Sequence, residues 1–321
     1  MKKNKLVSFI CLCAAAGTSI YAINKVIDFL AKGLNFLSDS DRIMYDWRFA
    51  KVSYKVKGTG SPILLIHDLD PSSNLEIWNQ TIESLSKEHT VYALDLPGCG
   101  LSEKPAITYT TYFFVELIRD FIHDIIAEKT HIMVCGNSSA FVTMAASMEN
   151  DYIGNLILIN PIDLHTISCN PTPKSKLSKL LLELPILGTL LYNINYQELK
   201  IKEALNDKIA LTDHITSDLV KTAYKSAHLS GSYGKFLLAS LKGKYFTANI
   251  LPALENIVQP FTIVYGKSKK GAYENANEYK TINPSIEACS ISNSKEYPQF
   301  ENSEEFLKAI SIYLEEETVE E

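Results

Sequence analysis

A serine within a run of small residues is the first candidate for chemistry in this sequence. Residues 136–140 read GNSSA and follow the apolar run IMVC at residues 132–135. A serine between a strand and a helix lies on a tight turn at the carboxyl end of a sheet, where it can act as a nucleophile. The helix that starts there directs N–H groups and its positive dipole end toward the site. We therefore predict Ser138 as a nucleophile; the alternative is that Ser138 only caps the helix.

A serine nucleophile needs a general base, and the histidines of this sequence are placed unusually for that role. Imidazole, with a pKa of about 6.5, is the usual base for a hydroxyl at neutral pH. Only His165, His214 and His228 follow Ser138 in the chain. All three lie in a segment that is predicted below to be a cap.

Short apolar runs alternate with helix-length segments through most of the chain. The predicted strands cover residues 49–56, 63–66, 91–94, 132–135, 156–159, 261–265 and 286–291. The predicted helices of the core cover residues 75–87, 111–128, 139–148 and 303–313. This alternation predicts an α/β fold in which a mostly parallel sheet carries helices on both faces.

One long segment interrupts the alternation. Residues 165–246 lack a clear strand and are rich in predicted helix, which indicates a helical cap between two parts of the core, residues 49–164 and 247–321. Within the cap, residues 177–194 are dense in Leu, Ile and Tyr. Two interpretations remain open for this stretch: it packs the cap onto the core, or it forms an apolar pocket wall or a membrane-facing surface.

The N-terminus has the composition of a membrane segment. The basic sequence MKKNK precedes eighteen uncharged, mostly apolar residues at positions 6–23. We predict a single membrane anchor over residues 1–24 and an amphipathic linker over residues 25–48. The lysines before the apolar run favour a cytoplasmic N-terminus and a domain on the outer side of the membrane. A cleaved signal peptide, with its cleavage region at residues 14–17, and a buried helix are the alternatives.

Composition excludes several classes of function. The net charge of −6 and the lack of a basic stripe argue against nucleic-acid binding. The six cysteines show neither a metal-binding spacing nor a disulfide framework, so we predict no metal site. No strand runs into a G-x-G-x-x-G motif, and we predict no cofactor. The partners that remain are the membrane and a small apolar substrate or ligand.

Three blocks of the sequence resemble the α/β-hydrolase superfamily. They are LLIH at residues 64–67, LDLPGCGLS at residues 94–102 and GNSSA at residues 136–140. The resemblance covers about residues 49–313 and is to the capped members, which act on esters, halides, epoxides or carbon–carbon bonds. It implies that the middle block shapes a turn beside the pocket and takes no part in catalysis.

The resemblance also implies an oxyanion hole, in which backbone N–H groups stabilise developing negative charge. By position, its donors are the N–H groups of Leu69 and Ser139. The family has glycine after the histidine of the first block, whereas this chain has Asp68 after His67. A carboxylate near an oxyanion is unfavourable, and Asp68 is therefore a departure from the family pattern.

Two further departures fall on the family's acid and base. The acid normally follows the strand at residues 261–265, but GKSKK at residues 266–270 contains no carboxylate. Glu296 occupies the place of the family's histidine in KEYPQFE, residues 295–301. A glutamate base would need its pKa raised by roughly two units. Asp163 is a candidate replacement acid, and the cap histidines His165 and His228 are candidate bases.

Two functions therefore remain open. The first is a membrane-anchored serine hydrolase of an apolar, ester-like small molecule, with Ser138 as nucleophile and a weakened triad that includes Glu296 and Asp163. The second is a catalytically inactive relative that binds a ligand or partner at the membrane.

Overall fold

A single eight-stranded sheet forms the centre of the protein. The computed structural model describes residues 2–32, 41–167 and 169–314. The strands are β1 (Ile43–Trp47), β2 (Ala50–Lys57), β3 (Pro62–Ile66), β4 (Thr90–Leu94), β5 (Thr130–Cys135), β6 (Ile153–Ile159), β7 (Phe261–Gly266) and β8 (Glu287–Ile291). Their order across the sheet is β1-β2-β4-β3-β5-β6-β7-β8. β2 pairs antiparallel with both β1 and β4 at one edge, and the other five pairings are parallel. The prediction of a mostly parallel α/β sheet is confirmed.

Both faces of the sheet are covered, as continuous apolar strands require. Successive residues of β3 point to opposite sides: Leu64 packs in a core cluster with Phe114, and Leu65 packs in a second cluster with Trp78. All five residues of β3 are buried. The carboxyl ends of β3, β5, β7 and β8 consequently lie at one edge of a rigid sheet, where parallel strands place functional residues.

Helices surround the sheet and fill the interval between β6 and β7. They are α1 (Lys2–Lys32), α2 (Asn79–Leu85), α3 (Thr111–Phe121), α4 (Ser139–Met148), α5 (Leu164–Ile167), α6 (Pro173–Glu183), α7 (Leu187–Asn195), α8 (Glu198–Lys208), α9 (Ser217–His228), α10 (Lys235–Lys242), α11 (Leu251–Asn256), α12 (Ala272–Ile282), α13 (Pro298–Glu301) and α14 (Ser303–Ser311). Between residues 160 and 260, the described residues contain helices α5–α11 and no strand. The helix-rich cap segment therefore has the predicted content, while its boundaries at 165 and 246 stay a prediction.

Two elements differ from the sequence prediction. β1 lies in the segment interpreted as an amphipathic linker, where it pairs antiparallel with β2. The helix predicted over residues 111–128 ends as α3 at Phe121 and continues as one π-helical turn, Ile122–Ile126. Ala127 closes that turn in the left-handed conformation, with φ of 58°.

The predicted anchor falls within α1, a helix of 31 residues. The side chains of residues 2–7 and 9–13, which include the lysines and much of the apolar run, lie outside the described part of the chain. Among the described residues, no single helix combines the length and hydropathy of a membrane span; α6 and α7 pass only as a pair, bent by 100°.

The LDLPGCGLS block builds the turn that the resemblance implied. The buried Asp95 carboxylate accepts N–H hydrogen bonds from Leu75 at 2.8 Å and from Leu101 at 2.9 Å. Arg42 adds an ion pair at 3.2 Å. These contacts fix the loop after β4 beside the carboxyl edge of the sheet.

Candidate active site

The strand-to-helix turn lies two residues earlier than the GNSSA pattern predicts. β5 ends at Cys135, and residues 136–138 form a short 3₁₀ turn before α4. Gly136 has φ of +56°, whereas Ser138 has helical angles of −66° and −19°. The nucleophile of an α/β elbow sits on the strained turn residue itself. Gly136 therefore has the left-handed backbone of a strained turn residue, and Ser138, predicted as the nucleophile, lies two residues further on at the start of α4.

Ser138 faces the interior. Its side chain is fully buried, and its hydroxyl donates a hydrogen bond of 2.7 Å to the main-chain oxygen of His67. Among the described contacts, no hydrogen bond joins Ser138 to Glu296 or to Asp163. The structure does not bring these three predicted catalytic residues together.

Two backbone N–H groups at the carboxyl end of the sheet donate to one acceptor, and that acceptor is a side-chain oxygen of the protein. The N–H groups of Leu69 and Asn137 each donate to Oδ1 of Asp68 at 2.8 Å. One donor follows β3 and the other follows the turn residue, which is the arrangement of an oxyanion hole. Leu69 lies where the sequence predicted a donor. Ser139, the other predicted donor, does not donate to Asp68, because its N–H donates to the carbonyl oxygens of Gly136 and Asn137. The second N–H that reaches Asp68 belongs to Asn137.

The Asp68 carboxylate occupies this position firmly. It is only 5% exposed and also accepts a hydrogen bond from the side-chain amide of Asn137 at 3.1 Å. Its second oxygen lies 3.7 Å from Nζ of Lys208. A Cβ atom built on Gly136 would stand 2.5 Å from Oδ1 of Asp68, closer than non-bonded atoms approach. The space beside the turn is thus filled by a carboxylate and tolerates only glycine.

His67 orients the loop that carries Asp68. Its Nε2 accepts the N–H of Leu96 at 3.1 Å, so the ring proton is on Nδ1, which donates to the Asp68 main-chain oxygen at 2.7 Å. Burial lowers the pKa of His67, and the ring is therefore neutral. Both ring nitrogens are engaged by the backbone.

An ion pair stands after the last two strands. Lys269 follows β7 and Glu296 follows β8, and the ammonium lies 2.9 Å from the carboxylate. These are the positions at which the resemblance to α/β hydrolases implies the acid and the histidine. Asn160, at φ of 45°, donates to the main-chain oxygens of Lys295 and Glu296 and holds this loop in place.

The Lys269–Glu296 pair is expected to contribute little to stability. Both side chains are about a quarter exposed, so solvent screens their attraction. Lys269→Met should lower the free energy of unfolding by about 0.5 kcal/mol at low salt, and less at high salt. Lys270→Met, at the exposed neighbouring lysine, is the matched control. Denaturant titrations at two salt concentrations measure the difference; equal, salt-independent effects of both variants would contradict a specific pair.

The alternative acid and bases have other roles in the structure. Asp163 is exposed, and its carboxylate accepts the N–H of Thr166 at 2.7 Å at the start of α5. His165 is exposed in the same helix. His228 is buried in α9, where Nδ1 lies 3.0 Å from the main-chain oxygen of Tyr224. None of these side chains hydrogen-bonds to Ser138 within the described residues.

Two cavities flank the filled oxyanion position. A cavity of about 460 Å³ lies between core and cap and includes Asp68, Leu69 and Ile201 in its lining. A second, of about 310 Å³, is lined by Gly136 and by the Lys269–Glu296 pair. Asn137 lines both, so its hydrogen bonds to Asp68 form part of the wall between them. In the part of the chain that the structure describes, no three His, Cys, Asp or Glu side chains are grouped as a metal would require.

The last residue of α8 attaches the cap to this site. Lys208 donates to the hydroxyl of Tyr297 at 3.2 Å, and its main-chain oxygen accepts the N–H of Glu296 at 2.9 Å. Tyr297 makes the largest contribution to raising the pKa of Lys208, and Asp68 and Asp70 add to it. Burial raises the pKa of Tyr297. At neutral pH a protonated lysine therefore faces the Asp68 carboxylate beside a neutral phenol.

The architecture of the sheet agrees with the comparison to known families. A family model described as alpha/beta hydrolase fold matches residues 62–185. The chain has the α/β-hydrolase fold. Among solved structures of this fold, the chain is similar to a bacterial membrane phospholipase A described as a virulence factor, with a TM-score of 0.67 and 20% identity. That alignment covers 98% of each chain.

Curated relatives match a shorter stretch. An uncharacterised protein of Mycobacterium tuberculosis is 28% identical over 34% of this chain and 31% of its own length. The 2-hydroxy-6-oxo-6-(2'-aminophenyl)hexa-2,4-dienoic acid hydrolase of Metapseudomonas resinovorans is 26% identical over 40% of this chain and 47% of its own. The chain thus spans less than half the length of the curated relatives it matches.

The sequence motif missed the two residues that define the site, Gly136 and Asn137. A signal for them was present: the apolar run of β5 extends to Cys135, and an elbow begins directly after its strand. The end of β5 at Cys135 predicts that residue 136 lies on the turn, whereas the similarity of GNSSA to the G-x-S-x-G motif predicts Ser138 there. Lys208 carried no sequence signal, because only the folded cap brings it to the core.

Proposed function

We propose that this protein is a non-hydrolytic member of the α/β-hydrolase fold that binds a small apolar ligand at a membrane. The observation that carries the proposal is the Asp68 carboxylate, which accepts both N–H groups of the oxyanion position. Gly136, on the turn beside it, has no side chain that could attack a substrate.

The electrostatics of the site oppose acyl transfer. A tetrahedral intermediate places negative charge where backbone N–H groups stabilise it. Here Asp68 already holds that charge, and two like charges 4 Å apart repel by about 4 kcal/mol at an effective dielectric constant of 20. A barrier increase of that size slows a reaction by roughly a thousandfold. Glu296, paired with Lys269, is also not free to act as a base.

The cavity between core and cap supports ligand binding. Its volume of about 460 Å³ falls within the range of small-molecule pockets. Apolar side chains from both layers line it, among them Leu69, Ile77, Ile201, Leu205, Leu219 and Leu238. An apolar molecule of modest size therefore fits the chemistry of this space.

A hydrolase acting through Ser138 is the second candidate, and the hydrolase named among the relatives favours it. This mechanism requires the Ser138 hydroxyl to leave the His67 carbonyl and to reach a base. A movement of the turn and of α4 would be needed, since Ser138 is fully buried.

The two candidates differ in the effect of Ser138→Ala. If the protein is non-hydrolytic, the native chain and Ser138→Ala both leave p-nitrophenyl esters of short and long acids unhydrolysed. Ser138→Ala costs about 1 kcal/mol of stability for the lost hydrogen bond. Binding of the apolar fluorophore 1-anilinonaphthalene-8-sulfonate is unchanged in Ser138→Ala and is weakened in Ala223→Phe, which fills the cavity. Ester turnover that Ser138→Ala abolishes would refute the proposal.

We further propose that α1 anchors the protein, with the domain on the outer side of the membrane. The basic residues before the uncharged stretch 6–23 support both parts of this proposal. The full chain should stay with the membrane after alkaline carbonate extraction, and protease should digest the domain in sealed right-side-out vesicles. Release by carbonate would contradict the anchor, and protection from protease would contradict the orientation.

A further inference from the structure

An apolar surface lies open on the cap. Six large side chains of α6, of α7 and of the link between them are each at least 37% exposed: Leu177, Leu180, Leu181, Leu184, Ile186 and Leu187. We call this set the cap apolar surface. Exposed apolar residues gathered on neighbouring elements mark an interaction site, whereas single ones do not.

The cap apolar surface adjoins the proposed anchor helix. The Asn24 side chain of α1 is only 5% exposed, donates to the main-chain oxygen of Ile186 at 3.2 Å and accepts from the Asn193 amide at 3.0 Å. These contacts hold α1 against α7. Beyond them α1 presents further apolar side chains to the outside, including Val26 at 57% and Phe29 at 77% exposure. The cap apolar surface therefore lies beside a helix that also exposes apolar side chains.

The charges on this face suit an anionic membrane surface. Lys174 and Lys176 are exposed at the start of α6, and Lys25 is exposed on α1. The only acidic residue between positions 173 and 195 is Glu183, which pairs with Lys179 at 2.5 Å. These residues give this face a local excess of positive charge, although the net charge of the whole chain is −6. Lysines beside exposed leucines are typical of helices that lie in a lipid interface.

The geometry of α6 and α7 fits a surface contact. The helices have 11 and 9 residues and bend by 100° at their break. At about 1.5 Å per residue, each helix alone is about half as long as a hydrocarbon layer of about 30 Å is thick. Helices with one apolar side and lysines on the other lie along the interface.

We propose that the cap apolar surface inserts into the headgroup region of the same bilayer that holds α1, and that it prefers anionic phospholipid. This inference rests on the proposed membrane anchoring. It gives the cavity a route to apolar ligands, because Asn195 at the end of α7 is part of the cavity lining. The cap would then face the lipid phase from which such a ligand is drawn.

Tryptophan quenching in vesicles tests the contact on the full chain. Leu180→Trp places a tryptophan on the cap apolar surface, where the native side chain is 59% exposed. Ile312→Trp places one just after α14, on the surface of the α/β core, where the native side chain is 67% exposed. The native Trp47 and Trp78 are buried and give the same background in both variants. The proteins are reconstituted in phosphatidylcholine–phosphatidylglycerol vesicles with and without brominated lipid.

Quenching of Leu180→Trp is expected to exceed that of Ile312→Trp by at least about twofold, and to fall in pure phosphatidylcholine. Equal quenching in protein that floats with the vesicles would overturn the inference and leave the anchor intact. Protein that does not float with the vesicles would overturn both proposals. If Leu180→Glu abolishes self-association in detergent and Leu180→Trp is not quenched, a second copy covers this face, which also overturns the inference.

Discussion

Replacing Asp68 with alanine is expected to lower the free energy of unfolding by about 3 kcal/mol. The change removes the acceptor of three N–H hydrogen bonds, one from Leu69 and two from Asn137. Hydrogen bonds to a charged group contribute about 1.5–3 kcal/mol each, and water entering from the adjoining cavity recovers part of that loss. Lys208 also loses its neighbouring carboxylate. Urea denaturation followed by tryptophan fluorescence measures the effect.

Two variants show whether the loss belongs to the carboxylate position. Asp68→Asn keeps an oxygen for the backbone donors and should cost only about 1 kcal/mol. Asp163→Ala removes an exposed carboxylate with a single N–H partner and should cost about 1 kcal/mol or less. If Asp68→Ala were no more destabilising than Asp163→Ala, Asp68 would not be the acceptor of these N–H groups.

Gly136→Ala is expected to be as damaging as Asp68→Ala, at about 3 kcal/mol, for a different reason. A Cβ atom there would lie 2.5 Å from Oδ1 of Asp68, so the well-packed site would be overfilled. The positive φ of Gly136 adds about 1 kcal/mol of backbone strain for any L-residue. Gly271→Ala separates the two effects, because Gly271 has φ of +78° with no atom within 4 Å. That variant should lose about 1 kcal/mol only.

The clash predicts a coupling between the two positions. In Asp68→Gly the space beside the turn is free, and adding Gly136→Ala should cost about 1 kcal/mol instead of about 3. Denaturation of the two single variants and of the double variant gives the coupling energy. Strict additivity would show that the Asp68 side chain does not fill the position next to residue 136.

The sequence predicted the fold well because its signals are local. β3, β4, β5 and β7 are built around short apolar runs, and α4 was predicted with its observed bounds, Ser139–Met148. The antiparallel edge strand β1 was missed, since its five residues were assigned to a linker. A short edge strand is stabilised by its neighbour β2, and that pairing is not visible in its own residues.

The site was predicted less well because its key contacts are between distant positions. Leu69 and Asn137 are separated by 68 positions, and only the pairing of β3 with β5 brings their N–H groups to one oxygen. The sequence identified Asp68 and Glu296 as departures from the family pattern. It could not show that the Asp68 carboxylate replaces the missing oxyanion, or that Lys269 neutralises Glu296.

Fluorophosphonate labelling with peptide mapping tests the central claim most directly. In the native chain we expect no adduct, because Gly136 has no nucleophile and Ser138 is buried. In a variant that combines Asp68→Gly, Gly136→Ser, Lys269→Asp and Glu296→His, we expect the adduct at position 136, where the elbow places its nucleophile. An adduct on Ser138 of the native chain would contradict the account.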